Sequence, residues 1–468
     1  MPIGDVAPEI ALLLGGCAAL VLALFLPQRA QWLCGLVAAL ALVVAAGFAW
    51  AQIEAAKLSF KGVWALDGAT GWARLLILAA TALCLPLCPR WFTTDRRHGE
   101  FYIMLLFSAL GAVAMAGAAD LLQLLMAVLL SSVTGYAIAA WHRDWALSVE
   151  AGMKYFLVGA LANAMMAIGV VLLLGMLGSS GYADLASRLA APQQAPLSVL
   201  GLALTFLGLV FKMGAAPAHA WMPDVAEGAP VPAAAFLTVV PKIGAAIAMA
   251  RLVALFPEAE GGVRMLVAAL AVATMTLGNL AAFWQQDVRR LLGWSAVSQS
   301  GYALMAVAVT GLTDRALPAL IAFLAAYGVA NIAAFAAIAH LRGRTALGDF
   351  AGLGRARPIT AAILILAMLS LVGIPPLAGF VGKLELFLAA IQGGLPWLAV
   401  AALVNTVASL FYYARVMGPM YFARPGGEVH VLGRQTLVAA SVAGALVLGG
   451  GIAAGPLVVA MADVVILP

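Results

Sequence analysis

Charge is what this sequence has least of. Of its 468 residues only 10% are Asp, Glu, Lys or Arg, where soluble domains carry about 25%. A chain so poor in charge cannot clothe itself against water; 65% of it is hydrophobic and its mean hydropathy is +1.06. Cysteine is scarce too. Cys17, Cys34, Cys84 and Cys88 lie in or at the ends of apolar segments, with no C-x-x-C and no nearby histidine. They read as packing thiols, so neither a metal site nor a redox cofactor is expected in this chain. No basic residue precedes the first apolar run, which makes that run a poor signal peptide and a better first spanning helix.

What is abundant is apolar runs of about 20 residues, the length that crosses roughly 30 Å of hydrocarbon. They predict an all-α integral membrane protein of about fourteen transmembrane helices. Short loops leave no room for an inserted soluble domain. With the first residue outside, the inner loops hold Arg29, Arg90, Arg96, Arg97, Arg143, Arg289, Arg290, Arg342, Arg344, Arg355, Arg357, Arg415, Arg424 and Arg434. The outer loops hold Lys57, Lys61, Arg188, Arg251, Arg264 and Arg315. Such a bias orients the chain with both termini outside. It also explains the net charge of +5 without a nucleic-acid partner.

Five basic residues remain. Arg74 and Lys154 lie near helix ends, where a long side chain can snorkel to the interface. Lys212, Lys242 and Lys383 lie well inside apolar segments, where a charge costs at least about 2.5–3.5 kcal/mol. Two of these three accompany helix breakers. In the seventh segment, Leu197–Glu227, Pro217 follows Lys212; in the twelfth, Ile359–Ile391, Pro375 and Pro376 precede Lys383. Proline removes an amide donor and crowds the preceding turn, so both helices are expected to break. Irregular backbone at membrane depth is tolerated only where protein or a water-lined cavity satisfies it.

The breaks fall five spans apart, so these segments cross in opposite directions, as in an inverted repeat surrounding a transport site. The expected organisation is one membrane domain. Three helices occupy residues 1–99, a five-helix repeat 100–255, a second such repeat 263–417, and a last helix 437–466. Burial disfavours a lysine's charged form, so Lys212, Lys242 and Lys383 suit proton uptake and release. Ser295, Ser298, Gln299, Ser300 and Tyr302 form a polar stripe on the tenth span. That stripe supports proton transfer or simply joins helices. His219 suits a proton inlet, whereas Asp224 and Glu227 read better as a loop-ordering cluster.

The run FKMGAAPAHAWMPDVAEGAPVPAAAFLTVVPKIGAAIAMARL, Phe211 to Leu252, resembles the broken-helix segment of the antiporter-like subunits of respiratory complex I. EAGMKYFLVGA from Glu150, RRLLGWS from Arg289, QSGY from Gln299 and GIPPLAGFVGK ending at Lys383 are similar to family motifs, in family order. DVAEGAP from Asp224 resembles the N-type subunit rather than its L and M siblings. The resemblance spans nearly the whole chain. It implies a membrane-arm subunit that helps couple NADH-to-quinone electron transfer to proton translocation. Lys212, Lys242, Lys383 and His219 would form its proton path, and FMN, iron–sulfur clusters and quinone would belong to partner subunits. The expected partners are the other membrane and peripheral subunits and the lipid bilayer, in a bacterial inner membrane with both termini periplasmic. Two departures stand out. The family's fifth-span glutamate falls on Leu129, leaving desolvation of Lys212 unopposed, and Pro241 stands where a small hydroxyl residue is usual. Mrp-type cation/proton antiporter and membrane hydrogenase subunits share the scaffold, and a non-pumping structural paralogue is a further alternative.

Overall fold

In this computed structural model the described residues are 2–189, 196–257, 261–424 and 430–467. Helices dominate. The chain opens with α1 (Ala7–Phe25) and α2 (Trp32–Ala51), then a hairpin of β1 (Lys57–Ser59) and β2 (Trp64–Leu66). Next come α3 (Gly68–Cys84), α4 (Cys88–Trp91), α5 (Gly99–Ala116), α6 (Leu121–Ala139), α7 (Ala146–Leu177) and α8 (Tyr182–Leu189). The first broken segment is α9 (Pro196–Met213) with α10 (Trp221–Gly228), followed by α11 (Val231–Leu237) and α12 (Val240–Ala254). After α13 (Gly261–Phe283), α14 (Val288–Ala308), α15 (Ala316–His340) and α16 (Leu353–Ala356), the second broken segment is α17 (Pro358–Val372) with α18 (Ala378–Gln392). The chain ends in α19 (Pro396–Phe422), α20 (Arg434–Ile452) and α21 (Ala454–Ala460).

Apolar composition alone would let these helices start anywhere. Aspartates fix three of the starts by accepting first-turn amides that have no partner within the helix. Asp67 accepts from Thr70 at 2.8 Å, Asp120 from Leu122 at 2.8 Å, and Asp287 from Arg290 at 2.9 Å. Lateral surfaces stay apolar: Leu40, Val43, Phe411 and Ile452 point outward, as a hydrocarbon solvent requires. The α11–α12 segment is buried throughout its length and forms the centre of the bundle.

Among the described residues, eleven helical segments are long and apolar enough to cross a membrane. The expected seventh and twelfth segments fall short because they are interrupted, and α14 because its polar stripe dilutes an otherwise apolar helix. The eighth expected span also differs from a simple helix. It divides into α11 and α12, with Thr238 and Val239 between them, just before the imino nitrogen of Pro241.

Packing is similar in two stretches. α5 packs on α6 and α12, and α13 packs on α14 and α19. α7 packs on α9 of the first broken segment, and α15 on both halves of the second.

Two arginines differ from the sequence reading. Arg74 does not snorkel: it is fully buried, and its guanidinium donates to Glu9 at 2.8 and 2.9 Å, to Gln52 Oε1 and to the Asp5 carbonyl. Arg251 is not a loop residue but a buried part of α12, paired with Asp67 at 2.6 Å. Carboxylates within reach made burial of both cheaper than travel to the interface. Because Asp67 also accepts the Leu467 amide at 2.8 Å, the first and last described segments meet at one end of the bundle.

Candidate functional site: a lysine row bridged by one helix

The two breaks are built alike. α9 and α17 each end in a glycine with positive φ, Gly214 at +66° and Gly373 at +96°, a conformation that costs a Cβ-bearing residue more. In each, the next amide reaches back five residues, Ala215 to Val210 at 2.9 Å and Ile374 to Leu369 at 3.0 Å. This closes the helix with a Schellman-type cap. A cis proline follows three residues after each glycine, Pro217 and Pro376. Pro375 also lies between α17 and α18. The freed groups find partners: Trp221 Nε1 donates to the Phe211 carbonyl, Ala216 N to Thr274 Oγ1, and Gly379 N to Ser370 Oγ.

All three expected lysines are buried. Lys212 lies in the last turn of α9. Its Nζ has no hydrogen-bond partner among the described residues and sits 5.9 Å from the ring centres of both Tyr155 and Phe211, the outer limit of a cation–π contact. Lys242, in the first turn of α12, donates to the Ala296 carbonyl at 2.6 Å and to Tyr327 Oη at 3.2 Å. Lys383 reaches back across its break to the Val372 carbonyl at 3.0 Å and lies 4.2 Å above the Tyr302 ring.

What brings these sites together is α14. Ser300 Oγ is placed to donate to the Met213 carbonyl at 2.5 Å, one residue from Lys212, and to the Ala296 carbonyl that receives Lys242. On the same helix Gln299 donates to the Leu371 carbonyl at 3.0 Å, next to the carbonyl that holds Lys383. Ser295 bonds Tyr413 Oη, and Tyr302 Oη donates to the Ala402 carbonyl and bonds Thr406. Ser298 Oγ is buried without a hydrogen-bond partner among the described residues. The stripe therefore touches both breaks, and the same helix holds the middle lysine through the Ala296 carbonyl.

Three groups that complete the Lys242 site were missing from the sequence reading. Tyr327 Oη donates to the Thr238 carbonyl at 2.8 Å, and Asn331 Nδ2 to Thr238 Oγ1 at 2.7 Å. They span the gap between α11 and α12. Their signal was present: a tyrosine and an asparagine four apart, hence on one helix face, in the otherwise apolar α15. Tyr155 beside Lys212 carried no comparable signal, because its ring reads as core.

His219 lies between α9 and α10 with its ring 5.5 Å from that of Trp294; among the described residues it touches no lysine and its Nδ1 has no hydrogen-bond partner. Asp224 and Glu227 do more than order a loop. Arg290 Nη1 binds both, at 2.6 and 2.7 Å, and Lys154 bridges Glu150 at 2.6 Å to Asp224 at 3.3 Å. These five residues border a cavity of about 270 Å3 at the far end of the first break. Among the described residues, no group of three His, Cys, Asp or Glu could hold a metal ion.

Buried titratable amines beside paired helix breaks define an antiporter-like membrane protein. Residues 118–409 match the profile of the NADH:quinone oxidoreductase/Mrp antiporter transmembrane family. The chain is 43% identical to NADH-quinone oxidoreductase subunit N of Mycobacterium sp. (strain JLS), over 96% of each chain. It is 44% identical to subunit N 1 of Streptomyces griseus over 88% of each. A chain of respiratory complex I from Thermus thermophilus, solved with bound aureothin, superposes with a TM-score of 0.83. That match has 32% identity and covers 97% of this chain and 99% of the other. The chain belongs to the NADH-quinone oxidoreductase subunit N family, within the wider group shared with Mrp antiporters.

Proposed function

We propose that this chain is the N-type membrane subunit of a proton-translocating NADH–quinone oxidoreductase, supplying a proton path and no redox centre. The observation that carries this reading is α14 joining three buried lysines across two like-built breaks. Its hydroxyls can each accept and donate a proton, as can Tyr327; the carbonyls between them can only hold a donor in place. Protons entering beside His219 would load Lys212, cross by Ser300 to Lys242, and pass along the Ser298–Gln299 face to Lys383.

The same reading takes residues 100–255 and 263–417 as inverted repeats within a fourteen-pass topology whose termini face the outer side of a bacterial inner membrane. The matched packing of α5 and α13 and the identical caps support it. FMN, iron–sulfur clusters and quinone would sit in partner subunits.

A second reading is favoured by one observation. Among the described residues no carboxylate pairs with Lys212, and Leu129 stands on α6 where a glutamate is expected from the resemblance. In that case the first break holds the membrane arm together without pumping. Proton uptake per NADH oxidised, measured on purified complexes carrying Lys212→Ala or Lys383→Ala, separates the two. The proposal expects both to fall; wild-type uptake in both overturns it, and loss in Lys383→Ala alone supports a structural first half.

A further inference from the structure

Behind the Lys242 site, α3, α15 and α20 border a crevice of about 920 Å3, near the top of the roughly 300–1,000 Å3 range of ligand pockets. Leu76, Leu83, Ile243, Leu324, Val438 and Leu446 line it. Val438 and Leu446 are half exposed on the outer surface of α20, so the crevice opens sideways toward hydrocarbon rather than toward water. Only two lining residues are polar, Arg434 and Gln435, and both stand at one end.

That end is more basic than its lining shows. The Leu432 amide donates to the His340 carbonyl at 3.0 Å, and His340 Nδ1 bonds Thr436 Oγ1 at 2.9 Å. These bonds clamp the start of α20 to the end of α15, two residues before Arg342. The Arg342 guanidinium lies 5.2 Å over the Trp91 ring, and Trp91 neighbours Arg90, which follows the lining residue Pro89. Arg434 thus stands at this mouth, and Arg90 and Arg342 lie one and two residues along the chain from Pro89 and His340, which help to form it. None of them is in an ion pair among the described residues, although Arg74, Arg251 and Arg290 all are.

We propose that the crevice is a binding site for one phospholipid with an anionic headgroup. Its acyl chains lie along α3, α15 and α20, and its phosphate sits beside Arg434 with Arg90 and Arg342 adding charge. Basic pockets between membrane helices on the positively biased side suit such headgroups. Flexible acyl chains adapt to an irregular, laterally open crevice of this kind. The unmatched cationic mouth argues against a neutral headgroup.

The test uses the intact complex in lipid nanodiscs containing phosphatidylglycerol with a photoreactive acyl chain, followed by peptide mapping. Label is expected on the crevice-lining segments of α3, α15 and α20. Unlabelled phosphatidylglycerol should compete, and phosphatidylcholine should not. Arg434→Gln and Arg90→Gln should each weaken labelling about fivefold, from the charge lost near the headgroup, while leaving assembly intact. Equal labelling by a phosphatidylcholine probe would reduce the site to ordinary boundary lipid and overturn the proposal. So would an unlabelled crevice in which a cysteine placed at Val438 cross-links to another subunit.

Discussion

Buried charge takes two forms in this molecule. Near the end where the first and last segments meet, arginines are matched: Arg251 with Asp67, neither exposed, and Arg74 with Glu9. Along α14 the lysines are not: among the described residues Lys242 and Lys383 find carbonyls, the Tyr327 hydroxyl and aromatic rings but no carboxylate, and Lys212 has no polar partner. The side chains suit these uses. Arginine keeps its proton and meets a carboxylate with a planar fork, so a buried Arg–Asp pair acts as a fixed pin. Lysine yields its proton when desolvated. Charges that must stay are paired, and charges that must come and go are left single.

Breaking a pin gives the largest expected effect. Asp67→Ala leaves Arg251 buried without its carboxylate and removes the cap of α3. It is expected to destabilise the chain by about 3–5 kcal/mol, the usual cost of stranding one member of a buried pair. Little assembled complex should survive in membranes, as read by blue-native electrophoresis. Removing a single lysine should do the reverse. Lys242→Met leaves no unpaired charge behind, so assembly and thermal stability should match or exceed wild type while proton uptake per NADH drops. Equal loss of stability in both variants would erase the distinction between pins and titrating groups.

Leu129→Glu sharpens the comparison by offering an unmatched lysine a partner. α6, which carries Leu129, packs against α9, which carries Lys212. If the two face one another, the pair should turn Lys212 into something closer to a pin, with slower proton uptake. The double variant Leu129→Glu with Lys212→Met should then depart from additivity by about 0.5–3 kcal/mol in thermal or denaturant unfolding, as contacting residues do. Additive behaviour would show that position 129 does not address Lys212.

Much of this was legible in the sequence for a simple reason: a membrane makes polar residues conspicuous. Lys212, Lys242 and Lys383, the prolines at both breaks and the α14 stripe stood out against an apolar background, and the structure places them in one region. What was not legible depended on partners far away in the chain. Arg74 and Arg251 looked like interfacial residues because their carboxylates are 65 and 184 positions distant. The gap before Lys242 was hidden because Pro241 sits in a helical first turn, where proline is tolerated. Its satisfaction depends on another helix: Tyr327 donates to the Thr238 carbonyl and Asn331 to the Thr238 hydroxyl. Asp224 and Glu227 read as a loop-ordering cluster because their partners Lys154 and Arg290 come from α7 and α14.

The smallest expected effect tests whether α14 conducts or merely fastens. Ser300→Ala deletes the hydroxyl between the Met213 and Ala296 carbonyls. Losing a neutral hydrogen bond costs about 1 kcal/mol, so the fold and assembly should persist. A fastening role predicts only that small drop in thermal stability, with proton uptake unchanged. A conducting role predicts slower uptake, because no other α14 hydroxyl touches both the end of α9 and the carbonyl that holds Lys242. Ser300→Thr restores a hydroxyl on the same helix face and should recover uptake even if its extra methyl lowers stability further. Stability and transfer would then move in opposite directions between the two variants, which a purely structural serine cannot produce.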